Sequence, residues 1–329
     1  MGKRWSHFSF INSNRAMAHI YLYSPSGAVR DKAAFRRGVK RLQALGHEVE
    51  IDPDALTGWQ RFAGDDATRL AAIGRAAASG ADAALITRGG YGLTRLLPAL
   101  PYKAIDRAIH KGTRFIGFSD FTALQLGLLA KSSAVTWAGP ALLEGFGAPA
   151  PAPAQPDEIM QACFEDLLDG SAEGTGWRLP GRDVAALAGR RNPHLAQHAP
   201  LWGGNLAVLL SLLGTPWWPV VDGGVLFLED VGEHPYRIER MLAQLLHAGV
   251  LGRQKAILLG QFTDYQRTPH DRGYSMNQVV DWLRSQLKVP VLTGLPFGHV
   301  PTKVLLPVGA AVDVLIEGRD ALVLWGHLH

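Results

Sequence analysis

Only one of the 329 residues is cysteine. That scarcity excludes an internal disulfide framework and any cysteine-built metal cluster. Cys163 lies in "EIMQACFEDLL", an amphipathic helical pattern, and reads as a small packed hydrophobe. No apolar run approaches the roughly 18 residues of a membrane-crossing helix, so no membrane partner is expected. The first residues are basic but lack a continuous apolar segment and a small-residue cleavage site, which argues against a signal peptide. The compartment expected by default is the cytoplasm. The net charge of +4 is small, and it comes without a basic run or interleaved aromatics. Nucleic acid is therefore not an expected partner. "RGGYG" (88–92) lacks both the Gly-Lys-Ser/Thr of a phosphate loop and the spacing of a dinucleotide fingerprint.

What is present is a globular composition, 47% apolar and 19% charged, long enough for two domains. Residues 1–16 read as an N-terminal extension, because strand-like periodicity begins just after Met17. Residues 17–146 alternate strand and helix signals. "AHIYLYS" is a strand, and Phe35, Val39, Leu42 and Leu45 mark a helix face that Gly46 ends. "HEVEID", "ADAALIT" and "RFIGF" are further strands, with "DDATRLAAIGRAAASG" a capped helix between the first two. This pattern predicts a mostly parallel sheet flanked by helices, an α/β domain whose ligands bind at the carboxyl ends of the strands. Residues 147–200 read as a Pro/Ala-rich linker followed by a helix and an irregular connector, "GRRNPHLAQHAP". Residues 201–329 run through "GVLFLED", "HPYRIERMLAQLLHAGV", "KAILLGQF" and a strand-and-turn tail, predicting a β-rich C-terminal domain of α+β, barrel-like character.

Two sites fall at predicted strand ends in the first domain. In "FIGFSDFTALQLGLL" (115–129), Ser119 and Asp120 stand where a buried strand meets an apolar helix. Either residue could cap that helix, or the turn could present the Ser119 hydroxyl as a nucleophile. "GFSD" is not the complete Gly-x-Ser-x-Gly elbow, and a nucleophilic serine needs a base oriented by an acid. "RGGYG" could be a bare turn or a wall of backbone donors for a carboxylate or oxyanion. In the second domain, Glu229 and Asp230 end an apolar strand, where one carboxylate can face a cleft while Asp230 points the other way or caps the next helix. His299 ends "LTGLPFGH", one of 12 histidines in the chain. Weaker features are His194 and His198 at i, i+4 without a third ligand, His327 and His329 near the end, and Trp217-Trp218, which reads as a hydrophobic corner rather than a sugar platform.

The ordered set "SPSG", "RGGYG", "GFSD", "LWGGNL", "LEDVGEHPYRIERML" and "GLPFGH" resembles the LD-carboxypeptidase family, the muramoyltetrapeptide carboxypeptidases of bacterial cell-wall recycling. The likeness runs from about residue 18 to residue 316. It implies a serine peptidase with a Ser–Glu–His triad: Ser119 the nucleophile, Glu229 the acid and His299 the base. The Asp120 backbone amide and a glycine of "RGGYG", Gly90, would form the oxyanion hole. The implied reaction is cleavage of the LD-bond before the terminal D-Ala of a muropeptide tetrapeptide, with no metal or organic cofactor and with a homodimer as the family's common assembly. Arg88 is a candidate for the terminal carboxylate, or equally a structural ion-pair partner. A related branch hydrolyses peptidyl-nucleotide antibiotics and confers self-immunity; the "RGGYG" form favours the cell-wall branch. The competing class is a muropeptide-binding protein without turnover.

Overall fold

The computed structural model describes residues 17–149, 155–188 and 193–328. Residues 1–16, and with them the expected extension, lie outside the described residues, as does most of the Pro/Ala repeat.

The first layer is built from β1 (His19–Tyr23), α1 (Lys32–Ala44), β2 (Glu48–Ile51), α2 (Asp66–Ala78), β3 (Ala83–Ile86), α3 (Leu93–Leu96), α4 (Tyr102–His110), β4 (Arg114–Gly117), α5 (Thr122–Ser132) and β5 (Thr136–Ala138). Strands β1 to β5 are mutually parallel in the order β5-β4-β3-β1-β2. Helices cover the sheet, so β3 is buried at every position and reads as a continuous apolar run rather than an alternating one. The helix starts follow side-chain chemistry. Asp31 accepts from the amides of Ala33 and Ala34 ahead of α1, and Asp65 accepts from Thr68 ahead of α2. Between β1 and β3 the strand order reverses, which opens a crevice at their carboxyl ends. The loops after β1, β3 and β4 all lie there.

The second layer follows with α6 (Glu158–Asp169), β6 (Gly174–Arg178), α7 (Gly181–Ala186), β7 (His194–Asn205), α8 (Leu206–Ser211), β8 (Val225–Val231), α9 (Pro235–His247), β9 (Ala256–Thr263), α10 (Met276–Gln286), β10 (Val291–Thr293), β11 (Leu306–Val308), β12 (Ala311–Glu317) and β13 (Asp320–Leu324). Seven of these strands form one mixed sheet, β10-β9-β8-β7-β12-β13-β6. Its β7–β10 half is parallel, and β12, β13 and β6 continue it antiparallel. The sheet curls until its two edges approach each other. Trp177 on β6 donates its indole N–H to the Thr293 carbonyl on β10 at 2.9 Å. Asp183 on α7, fully buried, accepts from the Thr293 amide, the Thr293 hydroxyl and Arg284.

Two stretches depart from the sequence reading. The irregular connector ends in strand: His194–Asn205 is one long β7, hidden from periodicity because His198 takes a left-handed φ of 46° and the pairing with β12 slips there. Residues 147–200 thus supply α6, the edge strand β6, α7 and the first half of β7. Conversely β11, from the C-terminal region, leaves its neighbours and pairs antiparallel with β5 at the edge of the first sheet. The layers also meet at Thr122 of α5, whose hydroxyl accepts from the Asn205 amide at 3.0 Å. A Cβ on Gly204 would sit 2.4 Å from that hydroxyl, so the approach requires glycine. Trp218 packs edge-on against Trp202 at 5.5 Å in a corner of the second layer.

Asp183→Ala is expected to destabilise the protein by roughly 2–4 kcal/mol, because half-buried Arg284 and the Thr293 amide and hydroxyl lose the buried acceptor they share. Denaturant unfolding measures it; a loss below about 1 kcal/mol would show that the edge closure contributes little.

Candidate active site

Ser119 opens a single 3-10 turn, Ser119–Phe121, between β4 and α5. Its φ of 64° is left-handed, an unfavourable conformation for a residue with a side chain. Such strain is the signature of a serine held out at a strand-to-helix turn. Space for it comes from Gly89, where a Cβ would lie 2.7 Å from the Ser119 Cβ and 2.8 Å from Oγ. The Gly89 carbonyl accepts from the Gly27 amide at 3.2 Å. Because a trans peptide directs its C=O and N–H oppositely, the Gly90 N–H points away from Gly27. Gly90 itself has a φ of 120°. The Asp120 amide nitrogen lies 3.4 Å from the Cβ position Gly89 leaves empty.

Asp120 does not cap α5. Its carboxylate turns inward, accepting from the Ser26 hydroxyl at 2.7 Å and the Leu93 amide at 3.0 Å. It therefore ties the loops after β1 and β3 to the serine turn and holds the first amide of α3. Burial pushes its carboxyl above the ordinary range, opposed by those hydrogen bonds. No side chain caps the turn at its Phe118 start.

The second layer supplies the other groups. Glu229 is fully buried at the end of β8, and its Oε2 meets the His299 Nδ1 at 2.8 Å. With Nδ1 donating to the carboxylate, Nε2 of the neutral ring is left as an acceptor. Glycines make room for the pair: a Cβ on Gly298 would stand 3.2 Å from Glu229 Oε2, and one on Gly260 would meet the Phe297 carbonyl at 2.4 Å. The His299 side chain, 19% exposed, rests on the Phe118 ring with centroids 4.8 Å apart. Phe118 directly precedes Ser119, so the two layers bring serine and histidine to one place. Among the described residues, no hydrogen bond joins Ser119 to His299.

Asp230 departs from the expected alternation. Asn205 Nδ2 donates to both Glu229 Oε1 at 3.2 Å and Asp230 Oδ1 at 3.0 Å, so the adjacent carboxylates converge on one amide. A register shift between Leu228 and Asp230 in the β8–β9 pairing breaks the strict two-residue period. Rather than capping α9, Asp230 accepts from the Ala207 amide at the start of α8. Burial, with the Glu229 charge adding to it, pushes its pKa up to about 6.

Arg88 lies beside the glycine loop, donating to the Ala28 carbonyl at 3.2 Å with Glu144 at 4.0 Å. Sequence reading missed Glu144, Asn205, Ser26 and Lys303. Lys303 is 1% exposed, donates to the Val300 carbonyl and stands 5.1 Å above the Phe118 ring. Burial lowers its pKa, while Glu144, Glu229 and Asp157 pull it back. His194 and His198 lie on a strand, so helical i, i+4 spacing does not apply to them. Among the described residues no group of three His, Cys, Asp or Glu is placed to hold a metal, and no helix is long and apolar enough to cross a membrane. His327 pairs with Glu173 at 2.8 Å, and His329 lies outside the described residues.

Residues 20–139 match the family model of the LD-carboxypeptidase N-terminal domain, and residues 198–314 that of its C-terminal domain. The murein tetrapeptide carboxypeptidase of Pseudomonas aeruginosa is 33% identical over 236 residues, 70% of this chain and 71% of that one. The chain belongs to the LD-carboxypeptidase family. The crystal structure of muramoyltetrapeptide carboxypeptidase from Oxalobacter formigenes superposes with a TM-score of 0.79 at 35% identity, covering 93% of this chain and 97% of that one. The microcin C7 self-immunity protein MccF of Escherichia coli is 27% identical over 258 residues, 71% of each chain. Membership makes this chain a peptidase of a carboxypeptidase family, with the parallel-sheet domain and second sheet expected from its sequence.

The raised Asp230 pKa has a measurable sign. Its carboxyl binds a proton more tightly folded than unfolded, so its contribution favours folding below the ordinary value of 3.8 and is lost as pH rises to about 6. The stability of wild type relative to Asp230→Asn should fall by about 2 kcal/mol between pH 4 and pH 7. Parallel pH–stability curves for the two proteins would refute the shift.

Proposed function

We propose that the chain is a serine carboxypeptidase cutting the LD-bond before the terminal D-Ala of murein tetrapeptides. The observation that carries this reading is the Glu229–His299 hydrogen bond, formed by a fully buried carboxylate beneath the ring that packs against the serine turn. The names of the Pseudomonas and Oxalobacter relatives support the substrate class.

In this mechanism His299 Nε2 takes the Ser119 proton as Oγ attacks the carbonyl carbon of the scissile bond. Glu229 holds the Nδ1–H tautomer and stabilises the imidazolium that forms. Asn205 holds the other Glu229 oxygen, so the acid cannot swing away when the ring becomes charged. The tetrahedral oxyanion is met by the Asp120 and Gly90 amides, each such donor contributing roughly 3 kcal/mol. His299 then protonates the departing D-Ala amine, leaving an acyl-serine. Water, deprotonated by the same ring, releases the tripeptide and restores Ser119. Arg88 is the candidate for the substrate's terminal carboxylate.

Incubation with tetrapeptides differing in the chirality of the last residue should release D-Ala and not L-Ala. Ser119→Ala and His299→Ala should each lower kcat by about 10⁴-fold or more, with the double variant scarcely lower, because the groups act as one unit. A fluorophosphonate probe should add once by intact mass in wild type and not in Ser119→Ala. No labelling and no D-Ala release would favour a binding protein without turnover. Release from a peptidyl-adenylate analogue alone would favour the activity of the self-immunity branch.

A further inference from the structure

His299 rides on the loop between β10 and β11, and that loop closes on itself. The Val304 amide donates to the Pro296 carbonyl at 2.9 Å. Inside this closure Lys303 folds back and gives one N–H to the Val300 carbonyl. Thr302 donates to the Asp157 carboxylate at 2.6 Å, and Asp157 also caps α6. His299 and Lys303 are thus the two ends of one short turn, and both face Phe118, the residue before the reacting serine. The His299 ring centroid lies 4.8 Å and the ammonium 5.1 Å from the Phe118 ring centroid. Imidazole and ammonium are therefore no more than about 10 Å apart, close enough for the charge on one to act on the other.

A lysine is a costly residue for this position. Lys303 is 1% exposed, and an ammonium carries three N–H donors. Among the described residues the Val300 carbonyl is its one hydrogen-bond acceptor. An apolar side chain would fill the same space without the penalty of a buried charge. The compensation comes from carboxylates on three other elements: Glu144 beyond β5, Asp157 ahead of α6 and Glu229 at the end of β8. With His299 itself, these are the titratable groups that face the ammonium. Glu144 acts on His299 as well, has Arg88 at 4.0 Å, and keeps Oε2 buried without a hydrogen bond among the described residues.

We propose that Lys303 is a positioning residue for the reaction above, clasping the His299 loop against Phe118 and acting as a fixed cation on the Glu229–His299 couple. The inference rests on the serine-peptidase reading and deepens it. Its direction follows from the sign of the charge. A nearby cation favours ionised Glu229 and opposes a second proton on the imidazole. Both effects lower the pH at which the couple is ready to take the Ser119 proton. Glu144 works the other way on the ring, because a carboxylate favours the imidazolium. At about 10 Å and an effective dielectric constant of about 20, the cation is worth about 1 pH unit.

The test is the rate at which a fluorophosphonate labels Ser119 across roughly pH 5 to pH 9, read by intact mass. This readout needs the serine and its base but not the peptide substrate. Lys303→Met should raise the acid-side midpoint of the rate by about 1 pH unit. Lys303→Gln, uncharged but still able to donate to the Val300 carbonyl, should raise it as far while keeping more of the plateau rate. Lys303→Arg retains the charge and should keep the wild-type midpoint, whereas Glu144→Gln should lower it. Melting temperatures confirm folding, and if Lys303→Met does not fold, Lys303→Gln against Lys303→Arg makes the same comparison. A plateau that falls while the midpoint stays fixed is the behaviour of a structural brace alone and overturns the proposal. So does a midpoint that moves equally in Lys303→Arg. Wild type unlabelled at every pH rejects the serine reading and the proposal with it, whereas labelled wild type and uncharged variants sharing one midpoint reject only the role of Lys303.

Discussion

A fully buried carboxylate is costly unless its oxygens are hydrogen-bonded, and Glu229 meets that condition with one partner on each oxygen, from different elements. His299 comes from the loop after β10, and Asn205 from the end of β7. Around this one group the second layer is arranged. β8 carries it to the sheet's carboxyl end, glycines at 260 and 298 keep backbone and Cβ atoms out of its way, and Asp230 holds Asn205 from the other side. Losing any one of these leaves a charge in an apolar interior, so the geometry is over-determined, as a pre-organised site requires.

The serine side shares that means and adds another. There the strained residue, Ser119, is kept in place by backbone crowding and by Asp120, whose buried carboxylate gathers the loops after β1, β3 and β4. Each half of the site thus centres on a buried carboxylate, and the serine half adds close backbone packing to it. The halves meet at the Thr122–Asn205 hydrogen bond and at the Phe118 ring, with His299 against that ring and the Lys303 ammonium above it. That ring adjoins the reacting serine in sequence, so motion of one layer against the other acts directly on the serine–histidine distance.

Much of this was legible in the chain. β1, β3, β4 and β8 are unbroken apolar runs because both faces are covered, and glycines mark where α1 and α2 stop. Ser119, Glu229 and His299 could be singled out because each ends such a run. The start of β7 could not, since a left-handed His198 erases its alternation. Asp230 was misplaced because a register shift is invisible to a two-residue period. Asn205 carried the signal of a helix cap, which it is, through Val208; its second role exists only once β7 and β8 are side by side. Lys303 offered no signal at all, because a lone lysine among apolar residues looks like surface until the fold buries it.

The return of β11 to the first sheet has a consequence for how the protein is made. Leu306 pairs with Ala138, so the strand bordering β5 is synthesised after nearly all the rest of the chain. At ordinary rates of translation the β5 edge waits on the order of ten seconds for its neighbour. During that interval its unpaired backbone is open to any passing strand. The nucleophile domain can collapse early around its own core, but its last edge is closed by residues lying just beyond His299. Completion of the sheet and arrival of the base are therefore one event in time, and a nascent chain with a finished serine turn has no partner for it until the whole molecule has emerged.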